Sequence, residues 1–138
     1  MEILILLPVF AQVLLTSVVM VLMGRRRIKA AKNKEISAGA FRTMDLSGAN
    51  EQVIATSRNF ENQFQMPMLY LFSVLFCLQL GLADLTFAVM GAVFVALRYW
   101  HTVIHIGSNT VRLRFRVFLL GCLVLWLIWI RLLVLAFI

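Results

Sequence analysis

Arg58-Asn59-Phe60-Glu61-Asn62-Gln63-Phe64-Gln65-Met66-Pro67 is a polar run that passes directly into the apolar segment Met68 to Leu82. Wound as a helix, it sets Arg58, Glu61, Asn62 and Gln65 at i, i+3, i+4 and i+7, on a single face. A charged and amide-bearing stripe thus leads into a membrane-spanning segment. Such groups are costly at membrane depth unless they face a bundle interior or a wet cavity, which makes them a candidate functional site. The alternative reading is a solvated helix end lying just outside the lipid.

Composition supplies the membrane. The chain has 138 residues, 62% of them hydrophobic and 14% charged, with a mean hydropathy of +0.95. A soluble domain of ordinary composition is far less apolar. The whole of residues 1–138 reads as one integral membrane domain, partnered by the lipid bilayer. The net charge is +7. Of the thirteen basic residues, all but Arg98 and Arg131 lie in two connecting regions or at their helix ends. Because these clusters flank apolar spans they read as orientation signals, and no nucleic-acid partner is expected.

Four spans are predicted, at about 3–23, 62–82, 85–106 and 117–138, joined by cytoplasmic loops at about 24–50 and 107–116. The first is long enough, at ~1.5 Å per residue, to cross a ~30 Å hydrocarbon core. It is not read as a signal peptide. Glu2 stands where a basic n-region belongs, and no small-residue cleavage site precedes Gly24-Arg25-Arg26-Arg27. The positive charges follow the span, so both termini are expected outside. Gln12 is expected to face the bundle. Asp45 or Ser47 is the expected N-cap of a long second helix running from about Ala49 to Leu82, bent at Pro67. Gly81-Leu82-Ala83-Asp84 is too short to be anything but a tight turn, which makes the second and third spans antiparallel neighbours. The fold class is therefore all-α, a four-helix bundle in the membrane.

The inner half of the third span is unusual. Arg98, His101, His105 and Arg112 recur at i, i+3, i+7 and i+14, and Arg98 lies about two turns inside the end of the span. It requires a carboxylate, an amide or a bound anion as partner. Tyr99 and Trp100 fit an interfacial aromatic belt, and Gly91, Ala88 and Ala92 offer small surfaces for close packing. Arg131, near the outer end of the fourth span, either snorkels or pairs with Asp84 at the same depth. Cys77 and Cys122 have no spacing motif and read as packing residues. His101 and His105 have a metal-compatible spacing without a third ligand, so no metal is expected.

These motifs together resemble the MAPEG family, the membrane-associated proteins in eicosanoid and glutathione metabolism. Arg58-x-x-x-Asn62-x-x-Gln65-x-Pro67 is similar to the family's second-helix signature, commonly Arg-x-x-x-Asn-x-x-Glu followed by Pro. Arg98-x-x-His101-Thr102-Val103 and the basic run to Arg116 resemble its third helix and the entry to its fourth. The likeness covers essentially the whole chain. It implies a bacterial-type member in the inner (plasma) membrane, a homotrimer, and glutathione bound between neighbouring protomers near the cytoplasmic face.

Under that resemblance Arg58, Arg98, Arg112 and Arg114 line a cleft suited to an anionic tripeptide. Arg114 most resembles the family's thiolate-stabilising arginine and is the expected catalytic residue, with Arg116 close enough to compete. Asn62 orients the peptide and His101 donates a hydrogen bond. Three positions depart from the pattern. Gln65 replaces the usual Glu and cannot pair with the ligand's ammonium, although Glu61 one turn away is a substitute; His105 and Phe118 stand where tyrosines are common. Two functions follow as expectations: a glutathione-dependent transferase or peroxidase acting on lipophilic electrophiles, or a non-catalytic accessory subunit of a membrane assembly.

Overall fold

The computed structural model describes residues 2–37 and 39–138. The described chain forms helices only: α1 (Glu2–Lys32), α2 (Ala40–Thr43), α3 (Glu51–Asn62), α4 (Met66–Gln79), α5 (Leu85–Ile106) and α6 (Val111–Phe137). Helices α1, α5 and α6 are long and apolar enough to cross a membrane. Helix α4, 14 residues and ~21 Å long, is also apolar but falls short of a full crossing by itself. Around the bundle α1 packs on α5, α5 on α6, α6 on α4, and α4 on α1. Their outer faces carry exposed Leu, Val, Ile and Phe, as lipid-facing helices do.

Burying apolar surface does little to drive helices together where the solvent is itself hydrocarbon, so close fit and polar contacts decide the packing. Tyr70 of α4 reaches across the core to α5, with its ring centroid 4.9 Å from that of Phe94. Gly91 makes room for it, since a Cβ there would meet the Tyr70 hydroxyl at 2.6 Å. Helices α4 and α5 therefore meet across the core, while the lateral neighbours of α4 are α6 and α1. The turn between them is as tight as expected. Gly81, at φ +69°, adopts the left-handed conformation that closes the C-terminus of α4, with Leu82 N–H donating to Cys77 O and Gly81 N–H to Leu78 O.

The basic segment after the first span is not a loop at its start. Helix α1 continues through Gly24 and the arginines to Lys32, because Arg, Lys and Ala are good helix formers and the extension has a partner in α3. Arg27 is buried and donates to Ser57 Oγ at 3.0 Å, and Arg26 donates to Thr56 Oγ1 and to the Gln52 carbonyl. The N-cap of α3 is Asn50, whose side chain accepts from Val53 N–H at 3.1 Å. Asp45 instead closes its own turn onto Ser47 N–H.

The second span is broken rather than bent. Helix α3 ends at Asn62 and α4 restarts at Met66, with Pro67 in its first turn. Pro67 has no N–H to give and its ring would strike the carbonyl of Gln63, so a continuous helix is disfavoured at this point. The break frees backbone groups near the inner boundary, and buried side chains satisfy them.

Candidate functional site

Around the break lies a buried polar layer. Gln63 is 2% exposed; it accepts from Gln12 Nε2 of α1 at 3.0 Å, and its own Nε2 donates to Asn59 Oδ1 at 3.1 Å and to Thr102 Oγ1 of α5 at 3.2 Å. Gln12, expected to face the bundle, is thereby anchored there. The polar run from Arg58 to Gln65 has a second face: Asn59 and Gln63 point into the protomer, while Arg58, Glu61 and Gln65 are exposed and Asn62 is half-buried between them. An i, i+4 amide pair was present in the sequence, but helical spacing alone could not say which of two adjacent polar faces turns inward.

Arg98 lies 3% exposed beside this layer. Its Nη2 donates to the Asn62 carbonyl at 3.2 Å, one of the groups the break releases, and to Asn62 Oδ1 at 3.4 Å. Both partners are neutral, and Arg98 Nε has none. One turn on, the His101 ring stands 5.6 Å from that of His105 and 5.9 Å from that of Phe118, and the Nδ1 atoms of both histidines are buried without a partner. Arg98 and His101 share a narrow crevice with Met66, Phe94, Phe118 and Cys122. His105 lines a polar cleft of about 160 Å³ with Glu51, Gln52, Ser108 and Asn109.

Arg114 reaches this region from α6. Asn109, in the turn between α5 and α6, accepts from Arg114 Nη1 and donates through Nδ2 to Glu51 Oε1 at 3.0 Å. Asn109 sits at φ +48°, a left-handed conformation that Asn tolerates better than most residues. Four sequence-predicted positions thus converge on one end of α5: Asn62, Arg98, His101 and His105, with Arg58 and Arg114 close by. Arg112, Arg116, Glu61 and Gln65 are exposed, and their side chains make no hydrogen bond or ion pair among the described residues. The missed members are Asn59 and Gln63; Thr102 and Asn109 stood beside the Arg98 stripe in the sequence without an assigned role.

At the opposite end Arg131 pairs with Asp84 and also lies 4.2 Å over the Phe87 ring, so pairing prevails over snorkelling. Asp84 caps α5 as well, accepting from Phe87 N–H at 2.9 Å. Burial works to raise its pKa, but the Phe87 hydrogen bond and the Arg131 guanidinium outweigh burial and hold the carboxyl below its ordinary value. Trp100 is exposed, as a belt residue should be, whereas Tyr99 turns inward and donates to the Ala11 carbonyl at 2.8 Å.

No curated protein and no solved structure matches the chain. The sequence profile of the MAPEG family matches residues 5–134, a stretch that includes every residue of the site. The chain belongs to the MAPEG family.

Proposed function

We propose that the protein binds glutathione at the inner end of α5 and acts as a glutathione-dependent transferase or peroxidase on lipophilic electrophiles drawn from the bilayer. The observation that carries this reading is Arg98: a buried guanidinium with only neutral partners, its Nε unpaired, beside two unpaired imidazole nitrogens. A buried charge without a counter-charge is expensive, and an anionic ligand removes that cost. The residues therefore fit a ligand bearing carboxylates.

When bound, glutathione supplies a thiol whose ionised form is the nucleophile. Asn62 fixes Arg98 from one side, so that Nε is left for a carboxylate. His101 offers a ring nitrogen one turn away. Arg114, steadied by Asn109 and through it by Glu51, holds positive charge where it favours a thiolate over a thiol. The exposure of Arg58 and Gln65 suits a site completed by a neighbouring protomer, in keeping with a homotrimer.

The accessory-subunit reading draws on one observation. Gln65 is exposed and uncharged, and offers nothing to the ligand's ammonium. A single substitution separates the two. Under the enzyme reading glutathione raises the unfolding temperature of the detergent-solubilised protein, because it binds the native state alone, and Gln65→Glu enlarges the shift. No shift at millimolar glutathione in either protein favours the accessory role.

A further inference from the structure

Helix α1 is 31 residues long, about 46 Å, and so outruns a ~30 Å hydrocarbon core by several turns. Its excess lies at the basic end, where five of eight residues from Arg25 to Lys32 are cationic. These charges divide by face. Arg26 and Arg27 turn inward and are consumed by Thr56, Gln52 and Ser57 of α3. Arg25, Lys29 and Lys32, at i, i+4 and i+7, turn outward and are exposed, with Ile28 among them 54% exposed.

Among the described residues no ion pair holds the outward three, although Lys29 also lines a polar cleft with Glu35, Asn50 and Gln52. No acidic residue follows Glu2 in α1, and the nearest carboxylate in sequence, Glu35, is held by Asn33 and Asn50. The ion pair of Arg131 with Asp84 is the only one among the described residues, and it lies at the far end of the bundle. The outward face continues upward without interruption into Val21, Val18 and Leu14, exposed at 50%, 54% and 60%. One ridge of α1 is thus lipid-facing hydrocarbon for three positions and then cationic for three more, with the change at Arg25.

We propose that this ridge is a binding site for an anionic phospholipid, its acyl chains lying on Leu14, Val18 and Val21 and its phosphate held by Arg25 and Lys29, with Lys32 reaching the outer part of the headgroup. Nucleic acid or an acidic protein would engage the cations alone; the apolar continuation selects an amphipathic partner. Cations at this level add to the attraction of an anionic leaflet. The site is independent of the glutathione reading, since none of its residues touches Arg98, His101 or Arg114.

The test uses the full-length protein in a neutral detergent, titrated with phosphatidylglycerol or phosphatidylcholine and followed by native mass spectrometry and thermal unfolding. Wild type is expected to retain phosphatidylglycerol preferentially and to unfold at higher temperature with it. The triple variant Arg25→Gln, Lys29→Gln, Lys32→Gln loses the preference, by roughly a hundredfold if each cation near the surface is worth about fivefold. Its unfolding in detergent alone stays near that of wild type, because Arg26 and Arg27 keep α1 on α3. Arg25→Lys retains the preference. If the triple variant does not fold, Lys29→Gln with Lys32→Gln carries the test, with an expected loss of roughly twenty-five-fold on the same scale. Equal binding of the two lipids by wild type, or an unchanged preference in the variants, overturns the proposal. So does a stabilisation that inorganic phosphate reproduces at equal concentration, which would make the ridge a free-anion site.

Discussion

A guanidinium as deeply buried as that of Arg98, facing only an amide oxygen and a backbone carbonyl, leaves an unneutralised charge inside the protein. Arg131 provides the internal contrast, because it has Asp84. Replacing Asp84 by Asn removes that partner, and since both side chains are partly exposed the expected loss is small, ~0.2–1 kcal/mol by thermal unfolding at neutral pH. The pH dependence has a definite sign. The folded-state pKa of Asp84 is depressed, so its stabilisation is present above the unfolded value of about 3.9 and is lost as pH falls through the lower folded value. Wild type and Asp84→Asn should therefore converge in unfolding temperature below about pH 4; a constant gap would show that the ion pair is not the cause. Arg114→Ala is a different kind of change. It should leave glutathione affinity largely intact while raising the pKa of the bound thiol, read from thiolate absorbance against pH. Arg98, Asn62 and His101 were legible in the sequence because charge and amide are out of place in an apolar span. Gln63 and Asn59 were not, because their inward orientation depends on Gln12 and Thr102, which lie 51 and 43 residues away.

At the scale of the helix, the break between α3 and α4 does the most to shape the site. It releases the Asn62 carbonyl to Arg98 and lets Gln63 tie α1, α3 and α5 together. Gln63→Leu keeps the approximate volume and removes these bonds, leaving Gln12, Asn59 and Thr102 with less than their full complement. The expected cost is ~1–3 kcal/mol, measured as lost thermal stability in detergent. A neutral result would mean that the layer is decoration. Gly91→Ala tests the other contact that sets helix spacing. Its Cβ would press on the buried Tyr70 ring, and overpacking of this sort costs ~1–3 kcal/mol. The three long apolar helices and the tight turn before α5 were readable from hydropathy and from Gly81 and Asp84. The break was foreseen only as a bend, since Pro67 signals a fault in the helix but not how many residues the chain needs to restart. The extension of α1 was hidden for another reason: a basic stretch is both a loop signal and a good helix former, and only the partner surface on α3 decides between them.

Besides buried unpaired atoms such as those of Arg98, His101 and His105, the whole molecule carries unpartnered polar side chains on its outside. Arg58, Glu61, Gln65 and Arg112 are exposed on one protomer, which is costly for those near the lipid unless a neighbour covers them. We propose that a homotrimer with α4 innermost covers them; native mass spectrometry in mild detergent should then find three copies, and monomers and dimers alone would overturn the proposal. Orientation has its own check, because the basic residues gather at one end. A cysteine placed after Ile138 should react with a membrane-impermeant reagent in intact cells, and one at Lys32 should not. If Arg98 is the core of an anionic-ligand site, isothermal titration of glutathione into the folded protein should show binding by wild type and a loss of ~1.5–3 kcal/mol in Arg98→Ala, as for a lost hydrogen bond to a charged group. Heat of binding unchanged by Arg98→Ala, or no binding by wild type at millimolar glutathione, would rule that role out.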